Sequence, residues 1–259
     1  LVITSTDVSK VYDGTTGAAG TAVATGLQGS DTISGGSFAF TDKHAGTGKT
    51  LLVSGVQVQD GNGGNNYEIA YQENRSSSIS QATIDLTVAD VVKTYDGTTK
   101  ADGVAVLGDG SQLFGTDSIS GGSFAFTDRN AGSGKHVEVS GVVVNDGNGG
   151  RNYLVTYRAN LSSTITKAPL TISSSSVNKF YDGNNTALGT VIVTGGTQLG
   201  AGDSISGGVF SFTDPSVGSN KTVTVSGVTI HDGAAGANYD VTYLPNTTSS
   251  IAGEMLPVS

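Results

Sequence analysis

A chain of 259 residues with net charge -9 and no cysteine lacks the basic stripe that phosphate binding requires and any thiol for a disulfide or zinc site. No apolar run approaches the roughly 18 residues of a membrane helix, so neither a nucleic-acid partner nor membrane insertion of this segment is expected. His44, His136 and His231 fall at non-equivalent positions beside the repeated serines, which argues against an enzyme with a catalytic triad and leaves no catalytic residue to name.

The chain opens at Leu1 inside a strand-like run without a signal peptide and reads as an excerpt of a longer protein. Next comes Lys10-Val11-Tyr12-Asp13-Gly14, and the same cluster returns as Lys93, Tyr95, Asp96, Gly97 and as Lys179, Tyr181, Asp182, Gly183. Asp31, Asp117 and Asp203 open near-identical stretches 86 residues apart, and Tyr67, Tyr153 and Tyr239 keep the same step. A repeat this long is a small domain, which predicts three tandem modules at 1–81, 82–167 and 168–252, with 253–259 a linker or the start of another.

Within each copy the pattern is one of strands. In the second, apolar alternation runs through 84–88, 123–126 and 136–139, with further strand-like runs at 104–106, 142–144, 153–157 and 163–165. Six or seven short strands without helical periodicity predict a small β-sandwich of immunoglobulin-like type, and a helix-poor β-grasp-like sheet is the alternative. Gly121-Gly122 and Gly141 predict a bulge or bend inside long strands. The runs DGNGGNNY and DGNGGRNY, from Asp60 and Asp146, read as hairpin loops.

The seams are of constant length: Ile79 to Tyr95 and Ile165 to Tyr181 each span 16 residues. They carry alternation and no flexible spacer, with Pro169 suited to a strand start. The last strand of one module is expected to run into the first of the next, giving an elongated end-to-end rod. Leu256 and Val258 lie 86 residues after Leu170 and Ile172 and are expected to open a fourth module.

Each polar constellation has a structural and a functional reading. The Lys/Tyr/Asp/Gly cluster reads as a turn with a buried tyrosine whose hydroxyl finds a partner, a fitting at the joint between modules; a sugar-binding Tyr/Asp pair is the functional counterpart. Lys10/Asn66/Asp42, Lys93/Asn152/Asp128 and Lys179/Asn238/Asp214 offer the groups of an intramolecular isopeptide bond, which needs a buried neutral lysine. The Asp60 loop resembles a calcium loop, but Gly64 takes the fifth position and no bidentate glutamate follows, so no cofactor is expected and Ca2+ is the nearest candidate. Gly46-Thr47-Gly48-Lys49-Thr50 invites a phosphate-loop reading, but Lys43 stands where its leading glycine belongs, and a hairpin turn is expected instead. Asn74, Asn160 and Asn246 open glycosylation sequons at one repeat position and are candidate glycan acceptors.

Lys10 to Thr16, Phe40-Thr41-Asp42 with Ala45 to Lys49, Val53-Ser54-Gly55-Val56, Asn66-Tyr67 and Ser163 to Ala168 together resemble the YDG repeat of large bacterial surface adhesins. Those are the filamentous-haemagglutinin-like and high-molecular-weight adhesins of two-partner secretion, and the resemblance covers essentially the whole chain. Ala234-Ala235 and Pro215 depart from the pattern locally. The resemblance implies an extracellular, cell-surface location and a stalk or spacer role that projects a distal binding region for attachment or biofilm formation. It also makes asparagine glycosylation reasonable, since such adhesins can carry it. The expected partners are neighbouring modules of the same chain, and a host or matrix glycan or protein through another region. The alternative is an array of ligand-binding modules giving avidity for a glycan or matrix polymer, against which stand 7% aromatics and no tryptophan.

Overall fold

The computed structural model describes residues 1–253, and these hold strands and turns with no helix. The expected fourth first strand lies outside the described residues. The first copy contributes β1 (Val2–Ser5), β2 (Ser9–Val11), β3 (Gly17–Ala18), β4 (Ala22–Thr25), β5 (Thr32–Phe40), β6 (Gly46–Gln59), β7 (Ala70–Tyr71) and β8 (Asn74–Ser80). The second contributes β9 (Ala82–Val88), β10 (Val92–Thr94), β11 (Ala105–Leu107), β12 (Ser118–Phe126), β13 (Gly132–Asn145), β14 (Tyr153–Tyr157) and β15 (Asn160–Thr166). The third contributes β16 (Ala168–Ser174), β17 (Asn178–Phe180), β18 (Val191–Thr194), β19 (Ser204–Phe212), β20 (Gly218–His231), β21 (Tyr239–Tyr243) and β22 (Asn246–Ala252).

Each copy builds two sheets. In the first, β4-β1-β7 forms one and β2-β8-β6-β5-β3 the other; the second repeats this as β11-β9-β14 and β10-β15-β13-β12, the third as β18-β16-β21 and β17-β22-β20-β19. The all-β tandem architecture is as expected. Parallel pairs enter both sheets, β1 with β7 and β2 with β8, and the same holds for β9 with β14 and β10 with β15.

Period-two alternation makes these strands. In β9, Ala82, Ile84, Leu86 and Val88 point inward and are buried, as a pleated strand places every second side chain on one face. Ile3, Val53 and Val56 anchor a core with Ile33 and Phe38 packed on it, and Val177, Phe212, Val223 and Ile251 anchor another. Each such side chain contributes roughly 1.5–3 kcal/mol on burial. Inside β5 and β6 the pairing keeps one register across Gly35↔Val56 and Ser37↔Ser54, while Gly36 has φ +112 and Gly55 φ +64. The glycines therefore bend the ribbon without inserting an extra residue.

Two sequence expectations are corrected. The DGNGG loops are not hairpins: the one after β6 leads to β7 in the other sheet, and the one after β13 leads to β14 in the other sheet. Gly46 to Thr50 is no hairpin turn either but the start of β6, where pairing with β8 shifts register on both sides of Lys49.

The seams are as short as expected, with Gln81 alone between β8 and β9 and Lys167 alone between β15 and β16. Pro169 is the second residue of its strand rather than the first. By compactness the chain divides into two units. One comprises Leu1–Thr87, Val104–Ser123 and Val139–Arg158; the other comprises Val88–Gly103, Phe124–Glu138 and Ala159 onward. Each unit contains one module-to-module joint.

Candidate functional site

The repeated cluster begins where a short parallel strand ends. The Tyr12 backbone N–H donates to Ser80 O at 2.8 Å, Tyr95 to Thr166 O at 2.8 Å and Tyr181 to Ala252 O at 2.8 Å, so each tyrosine is pinned to the final strand of its own module. The lysine two residues earlier builds the turn that follows. Lys10 Nζ donates to Asp13 Oδ1 at 2.7 Å, Thr15 O at 3.0 Å and Gly17 O at 2.8 Å. Lys93 treats Asp96, Thr98 and Lys100 in the same way, and Lys179 treats Asp182, Asn184 and Thr186.

Burial pushes the Asp13 and Asp96 carboxyls up, but the lysine and threonine hydrogen bonds outweigh it and hold both below the usual range. Asp182 is held low chiefly by Lys179. The acceptors from three residues that converge on each ammonium fix the turn, and the turn aims the tyrosine.

In the first unit that tyrosine reaches the next module. Tyr12 is 1% exposed, and its hydroxyl donates to Asp117 Oδ2 at 2.8 Å. Tyr153 donates to the same oxygen at 2.7 Å while its own hydroxyl accepts the Phe114 N–H at 2.8 Å. The Tyr12 ring meets Tyr153 edge-on at 5.3 Å and Phe114 at 6.0 Å, the geometry that aligns a ring edge with a π face. Gly14 has φ +78, and a Cβ there would lie 3.0 Å from Phe114 Cβ. Asn152, fully buried, closes the joint's other side: its Oδ1 accepts the Ala45 N–H at 2.9 Å and its Nδ2 meets His44 Nδ1 at 3.2 Å. Asp146 presets the loop carrying Asn152 by accepting the N–H groups of Asn148, Gly150 and Asn152.

The second unit repeats this joint with one addition. Tyr95, 3% exposed, donates to Asp203 Oδ2 at 2.8 Å, Tyr239 donates to it at 2.6 Å, and the rings meet at 5.4 Å. The approach is closer: a Cβ on Gly97 would lie 2.4 Å from Ala201 N, and Ala201 N–H donates to Asp96 O at 2.8 Å. Asn238 accepts the Ala131 N–H at 2.8 Å and donates to Asn130 Oδ1 at 3.1 Å.

The addition is Arg129, which donates to Gly97 O at 3.2 Å, Ala201 O at 3.0 Å and Asp232 O at 3.0 Å. It also lies 3.3 Å from Asp203 Oδ1, an oxygen that is buried and otherwise has no hydrogen bond. The guanidinium therefore supplies the compensating charge there. Burial, and then the hydrogen bond to an aspartate, push the Tyr12 and Tyr95 hydroxyls up to about 12, and the same causes raise Tyr153 and Tyr239.

The other candidates are placed apart or already engaged. Lys10 is held by its turn, Asp42 pairs with Lys49, and Asn66 lies on the Asp60 loop, so the isopeptide trio is not assembled. Asp128 pairs likewise with Lys135 and Asp214 with Lys221. The Asp60 carboxylate accepts three backbone N–H groups, from Asn62, Gly64 and Asn66, so a calcium-like sequence here encodes a loop whose carboxylate faces donors.

Asn74, Asn160 and Asn246 open β8, β15 and β22, and their side-chain nitrogens donate to Ser5 O, Val88 O and Ser174 O respectively. Their Oδ1 atoms accept from Ser77, Ser163 and Ser249. In the folded chain these amides tie the first strand's end to the last strand's start.

Sequence reasoning named Asp117, Tyr153, Asp203 and Tyr239 only as markers of the repeat, and Asn152 and Asn238 only as isopeptide candidates, and so missed that they form the receiving half of the joint. The constant step of 36 residues from each aspartate to its tyrosine was the signal that pairs them.

A family model described as the YDG domain matches residues 1–74, 80–160 and 166–249. No curated protein gives a match. Among solved structures, an I-band fragment of titin, I67–I69, aligns over 98% of this chain and 97% of its own at 9% identity, with a TM-score of 0.27, too low to support any structural conclusion.

Proposed function

Because the chain belongs to the YDG domain family, present here as three tandem copies, we propose that it is a stalk or spacer segment of a bacterial cell-surface adhesin, holding a distal binding region away from the cell for attachment or biofilm formation. The observation that carries this reading is where the repeated motif is used. Tyr12 and Tyr95 are buried against Asp117 and Asp203 of the following copy, so the most repetitive residues of the chain serve contact between modules. A spacer needs this, because its reach depends on resisting bending at every seam. With the Tyr12 and Tyr95 rings buried in the joints and no tryptophan in the chain, these two motif copies offer no Tyr/Asp pair to stack on a sugar, which disfavours the avidity reading. The same use of the polar residues suits a chain without catalysis.

At about 3.3 Å per strand residue, modules built on strands near ten residues long extend roughly 30 Å each. Small-angle scattering tests the spacer reading: a maximum dimension of about 100 Å would support it, and a compact particle would count against it. Retention of the chain on immobilised polysaccharide would favour the ligand-array reading instead.

A further inference from the structure

The two joints differ in the acceptor that each gives its buried asparagine. In the first, Asn152 turns its Oδ1 to the Ala45 N–H at 2.9 Å and to Asn148 Nδ2 at 3.0 Å, and its Nδ2 to Asp146 O at 3.4 Å and to His44 Nδ1 at 3.2 Å. Turning this amide over would set its nitrogen against two donors and its oxygen against a carbonyl, so one orientation is fixed. His44 Nδ1 must therefore accept, which requires a neutral imidazole with its proton on Nε2. In the second joint Asn238 accepts the Ala131 N–H at 2.8 Å and donates to Asn130 Oδ1 at 3.1 Å. That acceptor does not titrate.

The loops that carry the two acceptors are otherwise alike. The His44 N–H donates to Asp42 Oδ1 at 2.9 Å, as the Asn130 N–H does to Asp128 Oδ1 at 2.8 Å. Asp42 with its partner Lys49, and Lys43, sit on the histidine's own loop, so their charges act on the imidazole whether the joint is closed or open. Across the joint, Gly147 comes to the ring, where a Cβ would lie 3.9 Å from His44 Cε1. The Asp146 carboxylate beside it already accepts three N–H groups, and the exposed Arg151 opposes a second cation. Asp117 is taken up by the hydroxyls of Tyr12 and Tyr153.

We propose that the joint between the first two copies is a proton-sensitive switch: a proton on His44 Nδ1 sets donor against donor at Asn152 Nδ2 and opens the joint, while the joint built on Asn130 stays closed. The closed joint binds one proton fewer than the open one. Its stability is therefore complete above the imidazole range and is lost as pH falls through that range, from about pH 8 to 5. This window lies above that of the turn carboxylates, which are held below 3.8. One seam of the array thus yields in mildly acidic surroundings and the other does not.

Hydrogen exchange of the full chain tests this at the Ala45 and Ala131 amides, which donate to the two buried asparagines, each rate being referred to its unstructured value at the same pH. From about pH 7.5 to 5.5 the protection of Ala45 is expected to fall about tenfold, against a limit of about tenfold per pH unit for one proton, while Ala131 keeps its protection. His44→Asn, which copies the second joint, is expected to keep Ala45 protected throughout, and Asn130→His to transfer the loss to Ala131. Equal pH dependence at the two amides of the wild type, or a loss at Ala45 that survives in His44→Asn, would overturn the proposal. The wild-type comparison needs no substitution and so decides the matter even where a variant folds poorly. Imidazole nitrogen shifts are expected to place the His44 proton on Nε2 at about pH 7.5, and a proton on Nδ1 there would equally overturn it.

Discussion

The Tyr12 hydroxyl and the Asp117 carboxylate, 105 residues apart in sequence, meet at 2.8 Å with the tyrosine ring almost wholly buried. The contact recurs between Tyr95 and Asp203, 108 residues apart, at the same distance. Two equal distances in two joints of different sequence mark the Tyr/Asp pair as the element the repeat preserves.

Removing only the hydroxyl isolates that pair. Tyr12→Phe and Tyr95→Phe are each expected to destabilise the chain by about 1.5–3 kcal/mol, the range for hydrogen bonds to a charged group. Tyr181→Phe, at an exposed ring, is expected to stay within about 0.5 kcal/mol of wild type. Chemical denaturation in dilute solution compares the three.

The glycines of the motif separate backbone from contact. Gly97→Ala must accommodate both φ +80 and an approach of 2.4 Å to Ala201 N, whereas Gly183→Ala meets only φ +75 in open space. The second is expected to cost about 1–2 kcal/mol, the left-handed penalty alone. The first is expected to cost more and to raise hydrogen exchange at the Ala201 amide, which donates to Asp96 O.

High pH should open the joints. Tyr12 and Tyr95 are pushed up to about 12 from the ordinary tyrosine value near 10. A raised folded-state value means that the stabilisation is complete below about pH 10 and is lost as pH rises from about 10 through 12. Tyrosinate absorbance is expected to show a late-titrating class in the wild type that shrinks in the Tyr12→Phe/Tyr95→Phe double variant.

Low pH acts on the turns. Asp13, Asp96 and Asp182 are held below the usual carboxylate value of 3.8, so their contribution is present above about pH 4 and is lost as pH falls through their depressed values. Lys93→Met removes the partner and leaves Thr98 O and Lys100 O without it. The variant is expected to lose stability at neutral pH and to show a flatter decline below about pH 4 than the wild type, which thermal melting across pH would register.

The sequons give a test by mass. Because Asn160 Nδ2 donates to Val88 O and Asp90, and its Oδ1 accepts from Ser162 and Ser163, the folded chain is expected to gain no mass when incubated with an asparagine glycosyltransferase and sugar donor. Asn160→Ala is expected to cost about 1–3 kcal/mol by leaving buried partners unpaired.

The entering half of the joint was legible in sequence and the receiving half was not, for a physical reason. Tyr12-Asp13-Gly14 is a local turn, so its lysine, aspartate and glycine lie within a few residues and follow a seam of fixed length. Asp117 acts on a ring from another copy, and a periodic sequence cannot say which copy of a repeated residue is the partner. Strand alternation in β9 and β16 was read correctly because burial repeats every two residues. The parallel pairing of β9 with β14 was not, since alternation is blind to strand direction. The DGNGG loop was taken for a hairpin because Asp-Gly chemistry makes the same turn whether or not the strands it joins are neighbours. Arg129 stands at a position that is basic in two copies and proline in the third, a pattern that marks the position but not the contacts it makes.

The most direct test of the joint is a double-mutant cycle on Tyr12 and Asp117 in the full chain, using Tyr12→Phe, Asp117→Ala and the pair. If the motif tyrosine locks each module to the next, the cycle gives a coupling energy of about 1.5–3 kcal/mol between residues of different modules. A coupling indistinguishable from zero would mean that the two residues stabilise their own modules separately and that Tyr-Asp-Gly is not a joint.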